Sequence, residues 1–470
     1  MAIVRLAVLA ATAALSAAAA PSPKYVFLFI GDGMSTPQRM VAEDFSEKTG
    51  RGALAMNALP YQANTRTRSA NSIITDSAAA ATAIACGVKA NNGSLGVAPD
   101  GKRIESVAEV AKRRGMKVGI ATTVTIVHAT PAGFYAHLPS RGAFYSIALA
   151  LADSGFDFFC GGGFGGRALD ESDPNFRGDA YEIVRKAGYE VIIDDLAAWR
   201  TLKPGGKSLG VFGEKGMSFA IDADKSKPTP AEIVAKGIEL LDGPAGFFLM
   251  FEGGKVDYSA HANDAATNLH DILAMDDAVK VALRFFDSHP DETLIVATGD
   301  HETGGMSMGF AGIGGKFKVE LLARQKISVA EFSQIAKDMI KELGSKATLE
   351  VFKPLLTEKF GIVFDGPADD PMLATPAEVK ALRAALAKDV DLMARHVADT
   401  TAHDVARRYV FAQAAKNVVN AHAGVGWSSG SHTALPTLTT AKGVGADMLV
   451  GMRENSDLGA RLKKILDSGN

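Results

Sequence analysis

Residues 25–34 read YVFLFIGDGM. Tyr25–Ile30 is apolar without a break, and a glycine turn carrying Asp32 follows it. An unbroken apolar run, rather than an alternating one, marks a strand covered on both faces. Five more segments have this character: Val118–Thr122, Phe156–Phe159, Glu190–Ile193, Phe247–Phe251 and Thr293–Thr298. Helical patterns separate them, among them Ile104–Arg114, stopped by Gly115, and Ala265–Phe286. Strands alternating with helices predict an α/β fold, a mostly parallel central sheet with helices on both faces. In such a fold ligands bind beyond the carboxyl ends of the strands.

Residues 316–420 interrupt the alternation. They are rich in Ala, Lys, Glu and Leu, with helical patterns at Ser328–Leu343 and Pro376–His396. Because a sheet-like pattern resumes only afterwards, the segment is expected to be a helical cap inserted into one domain that spans residues 21–470. CGGGFGG, residues 160–166, contains a GxGxxG pattern, but polar RALDESDPN follows it where a dinucleotide site needs a helix.

The chain has 470 residues, 47% hydrophobic and 22% charged, with a net charge of −3. It therefore carries no electrostatic footprint for nucleic acid or an anionic membrane. Residues 1–20 combine an early cation, Arg5, with an apolar run and a small-residue tail. That is the pattern of a secretory leader, with cleavage expected near Ala18–Ala20. The run is shorter than the ~20 residues a membrane span needs. A secreted protein is expected, with the periplasm as its compartment. Cys86 and Cys160 both sit in apolar contexts, which favours two buried thiols over a disulfide.

Function begins at ITDSAAAATAIACG, residues 74–87. Asp and Ser favour a helix start, Ala its interior and Gly its left-handed exit. Ser77 thus stands where unpaired backbone N–H groups and the positive end of the helix dipole favour an anion. Asp32 in FIGDGM, Glu252 in FLMFEGG and Asp300 in VATGDHETGG lie at or just past three strand ends, so they can converge at one sheet edge. His301 adjoins Asp300. Asp257 and His261 are four apart, on one helical face. His432 lies in the loop GWSSGSHTA, and Thr130 in HATPAGFYAH offers a hydroxyl. Mixed Asp/His sets suit zinc, and an oxygen-rich set suits magnesium.

FIGDGM, TDSAAAATA, HATPAGFYAH with its following SR, EGGKVD, GDHETGG and SGSHT stand in the order seen in alkaline phosphatases, which this sequence resembles over residues 25–435. The resemblance implies that Ser77 is a nucleophile phosphorylated during turnover and that Arg141 grips phosphate. It implies two zinc ions, one on Asp257, His261 and His432, the other on Asp32, Asp300, His301 and the Ser77 oxygen. It also implies one magnesium on Asp32, Thr130 and Glu252. The implied substrates are small-molecule phosphate monoesters, and a homodimer is common in the family. Two positions depart from the pattern. His128, expected beside the third ion without binding it, stands where one bacterial branch has Asp and the animal enzymes have His. Tyr258 replaces a Lys or His of other branches. The alternatives are a phosphodiesterase or sulfatase of the same superfamily, or a secreted phosphate-binding protein without turnover. Asp264, His270, Asp271, Asp276 and Asp277 are read as the solvated side of a helix, and Glu302 and His137 as supporting groups.

Overall fold

The computed structural model describes residues 22–166, 168–169, 172–315, 317–395 and 409–468. The leader expected at 1–20 and His396 at the end of one helical pattern lie outside them. All six expected strands form: β1 Tyr25–Gly31, β3 Lys117–Thr125, β4 Phe158–Gly162, β5 Tyr189–Ile193, β7 Phe247–Gly253 and β8 Thr293–Gly299. Three others join them: β2 Tyr61–Thr65, β6 Lys207–Val211 and the C-terminal strand Thr437–Gly443. One nine-stranded sheet results, in the order β2, C-terminal strand, β8, β1, β7, β3, β4, β6, β5. From β8 to β5 every pairing is parallel, and only the C-terminal strand runs antiparallel to its two neighbours.

The unbroken apolar character of β1 follows from its two-sided burial. Tyr25, Phe27 and Phe29 point into one core cluster, and Val26, Leu28 and Ile30 into the other. The first cluster includes the 24-residue helix Ala265–Ser288. It continues without a break into the helices Val329–Leu343, Leu349–Phe360, Pro376–Ala394 and Phe411–Ala423 through Phe332, Phe352, Phe360 and Phe411. The second cluster includes Ser77–Cys86, Val107–Arg113 and the C-terminal helix Asn455–Asp467. Cys86 and Cys160 are buried free thiols. Burial pushes the Cys86 thiol up to about 12, which keeps it inert.

The helix headed by Ser77 is held at both ends. The Asp76 carboxylate accepts from the Ala79 N–H at 3.0 Å, and Gly87 ends the helix with φ +73°. Its small side chains let the C-terminal helix lie almost on its backbone. A Cβ at Gly459 would come within 2.4 Å of the Ile84 carbonyl, and one at Gly87 within 2.6 Å of the Ala460 nitrogen. Gly87→Ala should therefore push the two helices apart and strain a left-handed residue. We expect a loss of about 1–3 kcal/mol in urea unfolding. An unchanged midpoint would contradict this packing.

Candidate metal centre

β1 lies between β7 and β8, with Gly31 in register with Gly253 and Gly299. The chain therefore delivers Asp32, Glu252 and Asp300 side by side at the carboxyl edge. Gly33 makes the turn after β1 with φ +71°, and its N–H donates to Asp300 Oδ1 at 3.0 Å. A side chain at Gly33 would press on Asp257 Oδ1 at 2.9 Å. Helix Lys255–His261, starting directly after β7, brings in Asp257 and His261.

Three groups of metal-ligating atoms form around these carboxylates: Asp32 with Asp300 and His301, Asp32 with His128 and Glu252, and Asp257 with His301 and His432. His301 Nε2 stands 3.3 Å from Asp32 Oδ1, 3.3 Å from Asp300 Oδ2 and 3.1 Å from Ser77 Oγ. Ser77 Oγ is also 3.5 Å from Asp32 Oδ1. The Thr130 hydroxyl donates to Asp32 Oδ2 at 3.2 Å. His128 comes closer to the third group than expected, with Nδ1 3.2 Å from Glu252 Oε1 and 3.6 Å from Asp32 Oδ2. On the other side, His261 Nε2 lies 3.4 Å and His432 Nε2 3.7 Å from the Asp257 carboxylate.

The orientations of these imidazoles are informative. His261 Nδ1 donates to the Gly430 carbonyl at 2.8 Å, and His432 Nδ1 to the Thr75 carbonyl at 2.9 Å. A carbonyl can only accept, so each Nδ1 carries a proton and each Nε2 is the ring nitrogen that faces the centre. That is how a protein prepares imidazoles for a metal.

Charge makes the same case. Asp32, Glu252 and Asp300 are fully buried and Asp257 nearly so. Burial, reinforced by neighbouring carboxylates, pushes Asp32 and Asp300 well above the usual carboxyl range. Burial and the adjoining His432 and His261 hold His301 well below its usual value, neutral at pH 7. Asp300 Oδ2 is buried and has no hydrogen-bond donor among the described residues. A divalent cation would satisfy that oxygen and offset the crowded negative charge, so the residues present fit such ions.

Arg141 reaches the centre from the far side of Ser77. Its Nη1 donates to Asp76 Oδ2 at 3.2 Å, and its Nη2 lies 3.2 Å from His128 Nε2. Asp76 thus does two jobs, capping the Ser77 helix and aiming Arg141. Sequence reading saw only the cap. Other supports were equally silent: the Thr122 hydroxyl donates to Glu252, and that of Thr303 to Asp257 Oδ1 at 2.6 Å. Glu302 accepts from the Gly305 N–H and Gln38, and His137 pairs with Glu109. One expectation is corrected. Asp264, Asp271 and Asp276 are buried rather than solvated, because each accepts backbone N–H groups: of Val329, of Ala220, and of Ala55 and Met56 respectively.

Fold and site together define a metal-binding hydrolase. The model of the family described as alkaline phosphatase matches residues 23–157 and 178–468, and the chain belongs to that family. Alkaline phosphatase 4 of Bacillus subtilis is 29% identical over 94% of this chain and 89% of its own length. The repressible alkaline phosphatase of Saccharomyces cerevisiae is 32% identical, but the match takes in 60% of this chain and 55% of the yeast protein. Among solved structures, the cold-active alkaline phosphatase of Shewanella sp. superposes with a TM-score of 0.77 at 26% identity, over 94% of this chain and 99% of its own. That of Thermus thermophilus does so with 0.74 at 25% identity, over 98% and 96%.

The raised carboxyls set a sign for metal binding. Asp32 and Asp300 hold protons above the ordinary carboxyl range, whereas His301 is already neutral at pH 7. Adding Zn²⁺ to chelator-stripped protein, at a pH where the two carboxyls still hold their protons, should therefore release protons from them and none from His301. The stability these carboxyls contribute while protonated is lost as pH rises through their folded-state values. The melting-temperature gap between loaded and stripped protein should accordingly widen as pH rises through the range where these carboxyls lose their protons. Binding without proton release, with a constant gap, would contradict this charge arrangement.

Proposed function

We propose that this protein is an exported phosphomonoesterase that works through a phosphoserine on Ser77, with two zinc ions and one magnesium. The observation carrying this reading is Ser77 Oγ within 3.5 Å of both His301 and Asp32, at a helix start beside Arg141. Zinc would be held by Asp32, Asp300 and His301 with Ser77, and by Asp257, His261 and His432. Magnesium would be held by Asp32, Glu252 and Thr130, with His128 alongside. Bound there, the ions supply positive charge that makes the Ser77 hydroxyl and a water more acidic and stabilises a departing alkoxide. Export rests on the leader pattern of residues 1–20. No helix among the described residues is long and apolar enough to cross a membrane.

The chain's own groups supply binding and alignment. The Arg141 fork takes two phosphate oxygens, and Asp76 fixes its angle. The Ser77 helix start adds its dipole at the same place. Ser77 Oγ gives up its proton to solvent and forms the new P–O bond as the ester P–O bond breaks, and the alcohol leaves with a solvent proton. Water then attacks phosphoserine on the face the alcohol vacated. Inorganic phosphate departs and the Ser77 hydroxyl is restored. These contacts are made to phosphate, so the reading favours monoesters, whose three free oxygens can all be held.

Ser77→Ala should lower kcat on a chromogenic monoester by at least ~10³-fold and abolish acid-trapped phosphoenzyme. Undiminished phosphoenzyme in that variant would remove Ser77 from the mechanism. Arg141→Ala should mainly raise KM. Thorough chelation should end turnover of monoesters, and Zn²⁺ with Mg²⁺ should restore it. Diester turnover exceeding monoester turnover would instead favour a phosphodiesterase of the same fold.

A further inference from the structure

Twelve large apolar side chains are exposed among the described residues, and four of them fall on the segments that carry the site. The most exposed of them among the described residues is Ile73, at 76%, and the next, Val450, reaches only 47%. Ile73 stands four residues before Ser77. Its neighbour Ile74 is exposed too, as are Tyr258 and Leu435. These four lie on the three segments that deliver Ser77, the Asp257–His261 pair and His432. A lone exposed isoleucine means little, but four exposed apolar side chains on the three segments that converge at the site are informative.

The segments are tied down, so the apolar groups are presented rather than loosely hung. The Asn92 side chain donates to the Ile74 carbonyl at 3.1 Å and accepts from the Asp76 N–H at 3.1 Å. His432 donates to the Thr75 carbonyl at 2.9 Å, joining the Ile73–Ile74 segment to the loop that carries Leu435. The Tyr258 ring stands edge-on to His128, centroids 6.1 Å apart, and is itself exposed, so it lies between the centre and solvent.

From this geometry we infer that the rim formed by Ile73, Ile74, Tyr258 and Leu435 is a leaving-group subsite, selecting phosphate monoesters of apolar alcohols, alkyl or aryl, over those of strongly hydrated ones. The inference rests on the monoesterase reading above. With the phosphorus at Ser77 Oγ and two phosphate oxygens on Arg141, the ester oxygen faces away from the serine for in-line displacement. Whatever it carries must cross the mouth, where apolar surface gains by covering apolar surface.

Ethyl, butyl and hexyl phosphate test this, because their alcohols are nearly equal in acidity and differ in apolar area alone. With the Zn²⁺- and Mg²⁺-loaded full chain, kcat/KM should rise about two- to fourfold for each methylene the rim covers. In the Ile73→Ser/Ile74→Ser double variant the hexyl-to-ethyl ratio should fall at least ~3-fold. Since only the ratio is read, a general loss of activity in the variant does not mimic the effect. A flat series in the parent protein, or an unchanged ratio in the variant, overturns the subsite while leaving the monoesterase reading intact. Absence of turnover for all three esters and for a chromogenic monoester would overturn both.

Discussion

Four carboxylates, Asp32, Glu252, Asp257 and Asp300, are buried within one small volume at the carboxyl edge of the sheet. Like charges this close and this dry repel strongly, and burial alone disfavours each of them. Arg141 is only one positive group, and it is already engaged by Asp76. The arrangement is therefore stable as anions only with cations among them. A rigid nine-stranded sheet holds the carboxylates in place despite their repulsion, because β1, β7 and β8 are locked in register and buried on both faces.

Around that charge the chain arranges groups whose freedom has been removed in advance. Backbone carbonyls of Gly430 and Thr75 choose the tautomers of His261 and His432. Thr303 and Thr122 orient the carboxylates of Asp257 and Glu252. Asp76 joins the Ser77 helix to Arg141, so one carboxylate positions both the serine and the guanidinium. Preorganisation of this kind lowers the cost of assembling a charged transition state. It also explains the alanine-rich composition of the Ser77 helix, since only small side chains allow the C-terminal helix to pack so closely that Gly459 and Gly87 cannot carry a Cβ.

Legibility in the sequence followed burial. The six strands with two covered faces were readable because burial on both sides forces a continuous apolar run. β2, β6 and the C-terminal strand were not. YQANT, KSLGV and TLTTAKG are short or threonine-rich, and their pairing is decided by neighbours distant in the chain. The long helix after His261 misled in one respect. Asp264, Asp271 and Asp276 look like a solvated stripe, yet loops folding back from distant positions bring N–H groups that they satisfy. No local pattern marks a carboxylate as a backbone acceptor for a remote loop.

Local chemistry specifies the kinds of groups available and the strand ends that carry them, because an acid in a glycine turn after an apolar run has one edge to occupy. It also determined the capped helix that presents Ser77, since Asp, Ala and Gly act locally. Packing alone settles which candidate ligand atoms come together, that His128 reaches Glu252 and Asp32, and that Asp76 holds Arg141. These depend on distances of a few ångströms between segments separated by tens to hundreds of residues, set by sheet register and helix packing rather than by any residue's own preference.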